Sequence, residues 1–329
     1  MNDNYEDHLA QKCKEITSIG NTLPIIHAKS TKYYRNSITT SLGTSIAKDL
    51  ISEKGAEIYE SVNSWALTTW QNLKIRQNAQ DEFLLNFELT GNNNSEITVL
   101  LAYLTSSFPQ IRSIYLNEQH VYGDKYLKLS IDDITISVYP NNFCQINTAM
   151  ISDIYRTIVS FCLLYPRKNI MSLGDDSGNV CCYLASRFST TNIVGVLHSS
   201  ASYQAALTNL TLNALTPSFV FNPSYWSTLS DKEDTLLIIN PGRKGLRAAG
   251  IAALNNLKNI DTVIYMSCKI STLKLDLAQL INFKPILIQP IDNFPFIPDY
   301  CENIVLLRSA VQGTHLWGVP LPPLLLDIK

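Results

Sequence analysis

The sequence predicts an α/β protein, with a parallel-rich sheet in its second half and an α+β domain before it. From about residue 169 onward, short apolar runs alternate with turn residues and helical stretches, which is typical of a largely parallel sheet of Rossmann type. Two of these runs, 236–239 and 263–265, end in polar clusters, and ligands bind at the carboxyl ends of such strands. Residues before 145 mix helices and strands without that alternation. We therefore expect two domains, 1–145 and 146–329, as suits a chain of 329 residues.

The composition bounds the class of protein. Apolar residues make up 46% and charged residues 16% of the chain, so there is ample material for a core and no case for global disorder. The formal net charge of -2 excludes a grossly basic protein, although 26 Lys and Arg can still form a local basic face. Composition neither indicates nor excludes nucleic-acid binding.

Targeting, membrane and metal signals are missing from the sequence. No run of about 18 uncharged apolar residues occurs, and the acidic, polar start lacks the features of a signal or transit peptide. We expect a cytoplasmic protein with no membrane segment. Seven cysteines without a CxxC pair and five histidines without HExxH argue against a disulfide framework and a metal site.

The elements of the first half follow from the spacing of apolar residues. Residues 5–19 have helical spacing, and 58–73 also look helical. Residues 32–43 alternate like a strand and place Arg35 next to aromatic residues, so that this segment is either an edge strand or a strand that contacts RNA. Further elements are strands or mixed elements at 82–89 and 96–103, and a hairpin across Asp132-Asp133 at 125–138.

The second half begins with a helix over 148–164. Predicted strands then lie at 169–173, 193–196, 219–221, 236–239, 263–265, 286–290 and 304–308. Predicted helices lie at 178–188, 201–215 and 272–280, and residues 316–326 form a closing strand or a tail. This order of strand, turn and helix is what predicts the parallel sheet.

Cys268 is the candidate nucleophile. It follows the strand at 263–265 and precedes a helix whose N-terminus would lower the pKa of a thiol. Against that, most free cysteines are small buried apolar residues. Position alone leaves both interpretations open.

Three other polar groups stand at strand ends. Residues 174–179 lie between a strand and a helix, where a doubly wound fold binds nucleotide-like ligands, although an ordinary turn explains them equally well. Glu302 begins an apolar strand and is either a site residue or a solvated acid. Arg243, between two glycines, either holds an anion or closes a loop.

Together these segments resemble the S-adenosylmethionine-dependent RNA (uracil-5-)-methyltransferases, closest to the branch that acts on the tRNA T-loop. The similarity runs the whole length of the chain. Four stretches carry it: Phe143 to Asn147 resembles the family's FxQxN, INPGRKGL its DPPRxGL, IYMSCKISTL its YxSCNPxTL, and Asp292 to Glu302 its D-x-FP…E ending.

The resemblance implies roles for individual residues. Cys268 would add to C6 of uracil, and Glu302 would remove the C5 proton, with Asp299 as a lesser candidate for the base. Phe143 and Arg243 would contact the flipped uridine. The residues implied to contact S-adenosylmethionine are Gln145, Gly178, Asn179, Asn222 and Asn240. We accordingly expect an RNA partner, most simply tRNA, and a monomer without metal.

The departures from the family pattern concentrate on the cofactor side. The family's ribose-binding Glu corresponds to Leu197, its DPPR acid to Asn240, and the opening acid of its DLYCGxGN motif to Ser172. The histidine usually found before the base is absent. Two hypotheses follow: a divergent methyltransferase that acts on a tRNA uridine, or a non-catalytic tRNA-binding or folding protein that no longer uses the cofactor.

Overall fold

The computed structural model describes residues 4–41, 44, 46, 49–65, 70–90, 94–174 and 177–310. The chain divides into two compact units. One consists of Ser30–Ala149, and the other of the described parts of Met1–Lys29 and Met150–Lys329. This division differs from the expected boundary at residue 145, because the first 29 residues pack with the second half of the chain. The predicted closing strand or tail at 316–326, and Asp175-Asp176 of the 174–179 turn, lie outside the described residues.

The N-terminal segment explains that difference. It forms helix α1 (Tyr5–Thr17) and then an extended stretch in which Thr22 and Ile26 pair in parallel with Ile288 and Ile291. A stretch that adds to the edge of a sheet shares that sheet's hydrogen bonds and core. α1 and the segment after it thus belong to the sheet of the second half.

The Ser30–Ala149 unit is a mixed sheet with helices on one face. Its elements are β1 (Ser37–Ser41), α2 (Glu53–Ser64), β2 (Trp70–Gln77), β3 (Phe83–Leu89), α3 (Asn94–Ser107), β4 (Ile111–Leu116), β5 (Gln119–Gly123), β6 (Leu127–Ile131) and β7 (Ile134–Val138). The first five strands form one sheet in the order β1-β2-β3-β4-β5, and β6 pairs with β7. Leu73, Ile75 and Leu85 share an apolar core with α2 and α3, so the alternate residues of each strand point to the other face.

Several predictions for this unit are confirmed and two are wrong. The hairpin at 125–138 is present, with its turn at Asp132 in the left-handed region (φ 51), and β1 is an edge strand. The helix predicted over 58–73 ends at Ser64, because the residues after it bury Leu73 and Ile75 at strand spacing. Residues 96–103 lie in a helix, since their buried positions recur every three or four residues despite a β-rich composition.

The other unit is built on a seven-stranded sheet. Besides α1 its elements are α4 (Ile151–Leu164), β8 (Asn169–Gly174), α5 (Asn179–Ala185), β9 (Asn192–Leu197), α6 (Ser200–Asn213), β10 (Ser218–Phe221), β11 (Thr235–Asn240), α7 (Arg247–Asn255), β12 (Thr262–Lys269), α8 (Ile270–Gln279), β13 (Phe283–Ile291) and β14 (Tyr300–Ser309). The strand order is β10-β9-β8-β11-β12-β14-β13. The first five strands in that order are parallel, and β14 runs antiparallel to both of its neighbours. The predicted parallel-rich Rossmann-like sheet is confirmed.

At the centre of this sheet β8 and β11 end side by side, and β12 continues past them to Lys269. In β11 every residue from Leu236 to Ile239 is at most 1% exposed, as expected of a strand covered on both faces. Asn240, at the end of β11, pairs with Gly174 of β8, and Ile239 pairs with Tyr265 of β12. The polar residues that follow these strands therefore lie along one edge of the sheet.

Candidate active site

A β-bulge brings Cys268 and Glu302 together. The register of β12 against β14 shifts between Ser267 and Lys269, so one residue of β12, Cys268, lies opposite two residues of β14, Cys301 and Glu302. Bulges redirect side chains and are common beside active sites. The two residues predicted to carry the chemistry thus come from neighbouring strands at a single irregular point of the sheet.

The pKa of each of these two side chains is raised. Burial, and after it the Glu302 charge, raises the pKa of the Cys268 thiol to about 12, although Arg243 and Lys269 act to lower it. Burial raises the pKa of the Glu302 carboxyl to about 8. Helix α8 begins just after Cys268, as the sequence suggested, but the lowered thiol pKa expected from that helix is wrong because burial outweighs it. At neutral pH both groups are mostly protonated.

Arg243 and Tyr300 form a cationic and aromatic surface next to this pair. The guanidinium carbon of Arg243 lies 5.9 Å from the centre of the Tyr300 ring, and its charge is felt at Cys268. Tyr300 also packs at 60° against Phe294, with ring centres 5.6 Å apart. Arg243 is exposed and Tyr300 half-buried, so this surface is open to a ligand.

The Asp299 side chain caps the N-terminus of α8. Its carboxylate accepts hydrogen bonds from the Ser271 backbone N–H (2.9 Å) and the Ser271 hydroxyl (2.7 Å), and its carbonyl accepts from the Ile270 N–H (2.9 Å). It also lies 3.6 Å from Lys269 Nζ. A carboxylate that caps a helix N-terminus in this way has its oxygens engaged by that helix. Glu302 is therefore the better placed of the two candidate bases.

A buried ion pair fixes the segment that leads into Glu302. Lys12 of α1 donates to Asp292 (2.6 Å) and to the Phe294 carbonyl (2.7 Å), and the side chains of Lys12 and Asp292 are fully buried. The Tyr5 hydroxyl donates to the same carboxylate at 2.7 Å. The sequence analysis missed Lys12 and Tyr5. A signal was available for Lys12, which stands three residues after Leu9 and four before Ile16, on the buried face of α1.

Asn240 and Asn222 have different environments at the edge of the sheet. Asn240 is half-buried at the end of β11, and no described residue hydrogen-bonds its amide. Asn222 follows β10, its N–H donates to the Leu197 carbonyl (2.9 Å), and its side-chain oxygen accepts from the Ser224 N–H (2.8 Å). Leu197, at the end of β9, is 1% exposed. The end of β9 thus offers an apolar side chain.

Gly178 and Asn179 lie in the interior. Asn179 is fully buried and its oxygen accepts from Asn209 Nδ2 at 3.0 Å, which ties α5 to α6. Gly178 has φ 70, and an added Cβ there would lie 2.7 Å from both Ala206 and Phe219. These two residues shape the turn after β8 by their packing.

Phe143 and Gln145 belong to the Ser30–Ala149 unit, where buried polar side chains hold their segment. Arg76 Nη2 donates to the Asn142 carbonyl (2.5 Å), and Asn36 Nδ2 donates to the Gln145 carbonyl (2.6 Å). Gln145 is 4% exposed and Phe143 half-buried. The backbone that carries both residues is therefore held by β2 and by Asn36, the residue just before β1.

The described residues contain neither a candidate metal cluster nor a candidate membrane span. In the described part of the chain no group of three or more His, Cys, Asp or Glu side chains is arranged to hold a metal ion. None of the helices over those same residues is long and apolar enough to cross a bilayer.

Comparison with known sequences finds RNA methyltransferases. The chain is 28% identical over 191 residues to an uncharacterized RNA methyltransferase of Nanoarchaeum equitans, covering 58% of this chain and 41% of that protein. It is 23% identical over 267 residues to the human tRNA (uracil-5-)-methyltransferase homolog B, covering 74% and 52%. The chain thus spans about half the length of these two relatives. No protein-family model matches it.

Comparison with solved structures addresses the fold. The tRNA (uracil-54, C5)-methyltransferase of Pyrococcus abyssi, solved in complex with S-adenosyl-L-homocysteine, superposes with a TM-score of 0.74 at 20% identity, covering 92% of this chain and 83% of that one. The chain is accordingly related to proteins named RNA methyltransferases, and it has the fold of a tRNA (uracil-5-)-methyltransferase.

Proposed function

We propose that the protein is an S-adenosylmethionine-dependent RNA (uracil-5-)-methyltransferase that acts on a tRNA uridine. The observation that carries the proposal is the bulge that sets Cys268 opposite Glu302 at the carboxyl edge of the sheet. Relatives named RNA methyltransferases and the shared fold support it. The proposal includes three further points: that the substrate is tRNA, that the protein acts in the cytoplasm, and that it is a monomer.

The roles of the two residues follow from the chemistry of uracil. C5 is a weak nucleophile, and the Cys268 thiolate would activate it by forming a bond to C6, which moves the C5–C6 electron pair toward C5 and O4. The Glu302 carboxylate would later remove the C5 proton, and the electron pair released would restore the C5–C6 double bond and expel the thiolate. A base with a pKa of about 8 holds an abstracted proton well and is still partly ionised near neutral pH.

The Arg243–Tyr300 pair is suited to the base that enters. An aromatic ring stacks on a flipped pyrimidine, and a guanidinium stabilises negative charge that develops on the uracil oxygens. The charge of Arg243 also favours the Cys268 thiolate. In the free protein burial outweighs this effect, so the pKa of the thiol stays raised, to about 12.

The residues at the edge of the sheet fit S-adenosylmethionine, but they offer it one hydrogen-bond acceptor fewer than is usual. Asn240 presents an amide without a partner among the described residues, and Asn222 is half-buried beside the end of β9. Leu197 offers no acceptor to a ribose diol, which a carboxylate normally holds at that position. The cofactor, when bound, supplies the methyl group that uracil C5 receives. A lost charge-assisted hydrogen bond weakens its binding by about 1.5–3 kcal/mol.

Calorimetric titration with S-adenosylmethionine tests the proposal first. We expect weak but saturable binding, together with transfer of labelled methyl groups to tRNA transcripts. RNA carrying 5-fluorouridine should trap a covalent complex with the wild type, since fluorine at C5 cannot leave as a proton, and Cys268→Ala should form none. Absence of cofactor binding at millimolar concentration would refute the enzymatic proposal. RNA binding that persists in that case is the behaviour of a non-catalytic tRNA-binding protein.

A further inference from the structure

We propose that Lys74, with Thr39 beside it and the charge of Arg76 next to it, forms a binding site for one phosphate of the RNA backbone. The site lies on the Ser30–Ala149 unit. The inference rests on the proposed RNA substrate but requires no methyl transfer.

The strand register places these side chains on one face. Lys74 of β2 pairs with Thr39 of β1 and with Asn86 of β3, and directly paired residues point to the same side of a sheet. Arg76, two residues further along β2, shares that side. Thr39 is exposed, Lys74 half-buried and Arg76 6% exposed. The face is therefore open at the edge strand β1 and closes toward Arg76.

The positive charge on this face lacks acidic partners. Among the described residues no carboxylate pairs with Lys74 or Arg76. The acids whose charges reach Lys74 are Glu88 and Glu118. Glu88 accepts a hydrogen bond from Asn72 Nδ2 (2.7 Å), and Glu118 accepts one from Asn141 Nδ2 (2.6 Å). Both carboxylates are thus engaged by neutral amides.

Two like charges on adjacent positions of one strand face destabilise the fold. Burial, and after it the charge of Arg76, lowers the pKa of Lys74 to about 8. Buried charge without a partner is costly, and such groups are common where a ligand supplies the missing charge. A phosphate diester would supply it here, with the ammonium and the Thr39 hydroxyl as donors.

Unpaired polar atoms mark the same face. Arg76 Nε and Asn86 Oδ1 are buried and have no hydrogen-bond partner within the described ranges. Arg76 also donates to the carbonyl of Asn142, directly before Phe143. The proposed phosphate site therefore adjoins the segment that is expected to hold the flipped base, and a backbone phosphate near that base is the natural occupant.

The test measures RNA binding without cofactor. A fluorescent tRNA T-arm hairpin is titrated with the wild type and with Lys74→Gln at several KCl concentrations. We expect the variant to bind about fivefold more weakly and to lower the slope of log affinity against log salt by about one, as for one lost phosphate contact. Lys54→Gln is the matched control, because Lys54 lies on α2, over the opposite face of the sheet, and pairs with Glu57. It should leave the slope unchanged.

The pH dependence and the stability give independent readouts. Protonated Lys74 attracts the phosphate, so wild-type affinity should fall as pH rises from about 7 to 9.5, and Lys74→Gln should remove that fall. The variant should melt no lower than the wild type, since it relieves repulsion with Arg76. An unchanged salt slope in Lys74→Gln would overturn the inference, as would equal losses in Lys54→Gln. Methyl transfer, assayed separately, decides the proposed function whatever the result here.

Discussion

The Cys268 thiol and the Glu302 carboxyl act on each other across the bulge. The Glu302 charge raises the pKa of the thiol, and Arg243 opposes it. In a buried site each unit of pKa is worth about 1.4 kcal/mol, so loss of a neighbouring charge is measurable as a change in thiol reactivity.

Alkylation of Cys268 measures this interaction. Between about pH 8 and 9.5, where Glu302 is ionised in the wild type, Glu302→Gln should raise the rate of iodoacetamide reaction at Cys268 several-fold, because a larger fraction of the thiol is then ionised. Peptide mapping identifies the modified residue. Asp299→Asn is the control, since Asp299 caps α8, and it should have a smaller effect. Equal rates in wild type and Glu302→Gln would contradict the arrangement.

Glu302 should also lower the stability of the fold at high pH. Its folded-state pKa is raised to about 8 from 4.5, so the unfolded chain releases this proton at lower pH than the folded one. The contribution of Glu302 to the free energy of unfolding therefore decreases as pH rises from about 4.5 to about 8.

Urea denaturation of Glu302→Gln tests that linkage. The variant should gain stability over the wild type at about pH 8 and little at about pH 3.5, where Glu302 of the wild type is mostly protonated in both the folded and the unfolded state. The same substitution should abolish release of methylated product. A variant that is less stable than wild type at pH 8 would show that Glu302 is ionised and stabilised by a partner.

Sequence reasoning identified candidate site residues only where they repeat a known motif. Cys268 and Glu302 stand in recognisable stretches, and their facing positions are a property of the ladder between β12 and β14. Tyr300 was missed because it was recognised only by its contact with Arg243, which lies 57 positions away in the sequence. Asn179 resembled a ligand contact, but its partner on α6 lies beyond any local pattern.

At the scale of elements, α1 links the N-terminus to the segment before Glu302. Its buried face carries Leu9, Lys12 and Ile16, and a lysine on such a face is tolerated only with a paired charge. Asp292, 280 residues further along, supplies that charge. No local property of residues 1–29 reveals this partner, which is why α1 was expected with the first half of the chain.

Substitution in α1 should therefore affect the fold strongly. Lys12→Met leaves Asp292 buried without its cation and should lower the free energy of unfolding by about 3–5 kcal/mol. The double variant Lys12→Met, Asp292→Leu should recover much of the loss, because two apolar groups replace the pair. Lys14→Met is the matched control, since Lys14 is exposed on the same helix. Urea denaturation measures all three, and equal losses in Lys12→Met and Lys14→Met would contradict the role of the pair.

Across the whole molecule, the charge balance ties cofactor binding to RNA binding. The chain carries a formal net charge of -2, so the RNA substrate that we propose would be attracted by local positive groups such as Arg243 and Lys74. Leu197 and Asn240 leave two strand ends uncharged where the family has acids. In the proposed function each neutral residue would weaken the contact with a cationic cofactor, and each would remove a negative charge that repels RNA.

Asn240→Asp tests whether a charge at the end of β11 strengthens cofactor binding and weakens RNA binding. Asn240 is half-buried and without a hydrogen-bond partner among the described residues, so an isosteric carboxylate should fit without repacking. It should tighten S-adenosylmethionine binding about fivefold, since a charge-assisted hydrogen bond is about twice as strong as a neutral one. S-adenosylhomocysteine analogues that lack the amino group, and with it the positive charge, should gain less. RNA affinity should fall at low salt and recover as salt screens the added charge. Calorimetry and fluorescence anisotropy measure the two affinities, and a variant that tightens neither cofactor nor its analogue would place the cofactor away from the end of β11.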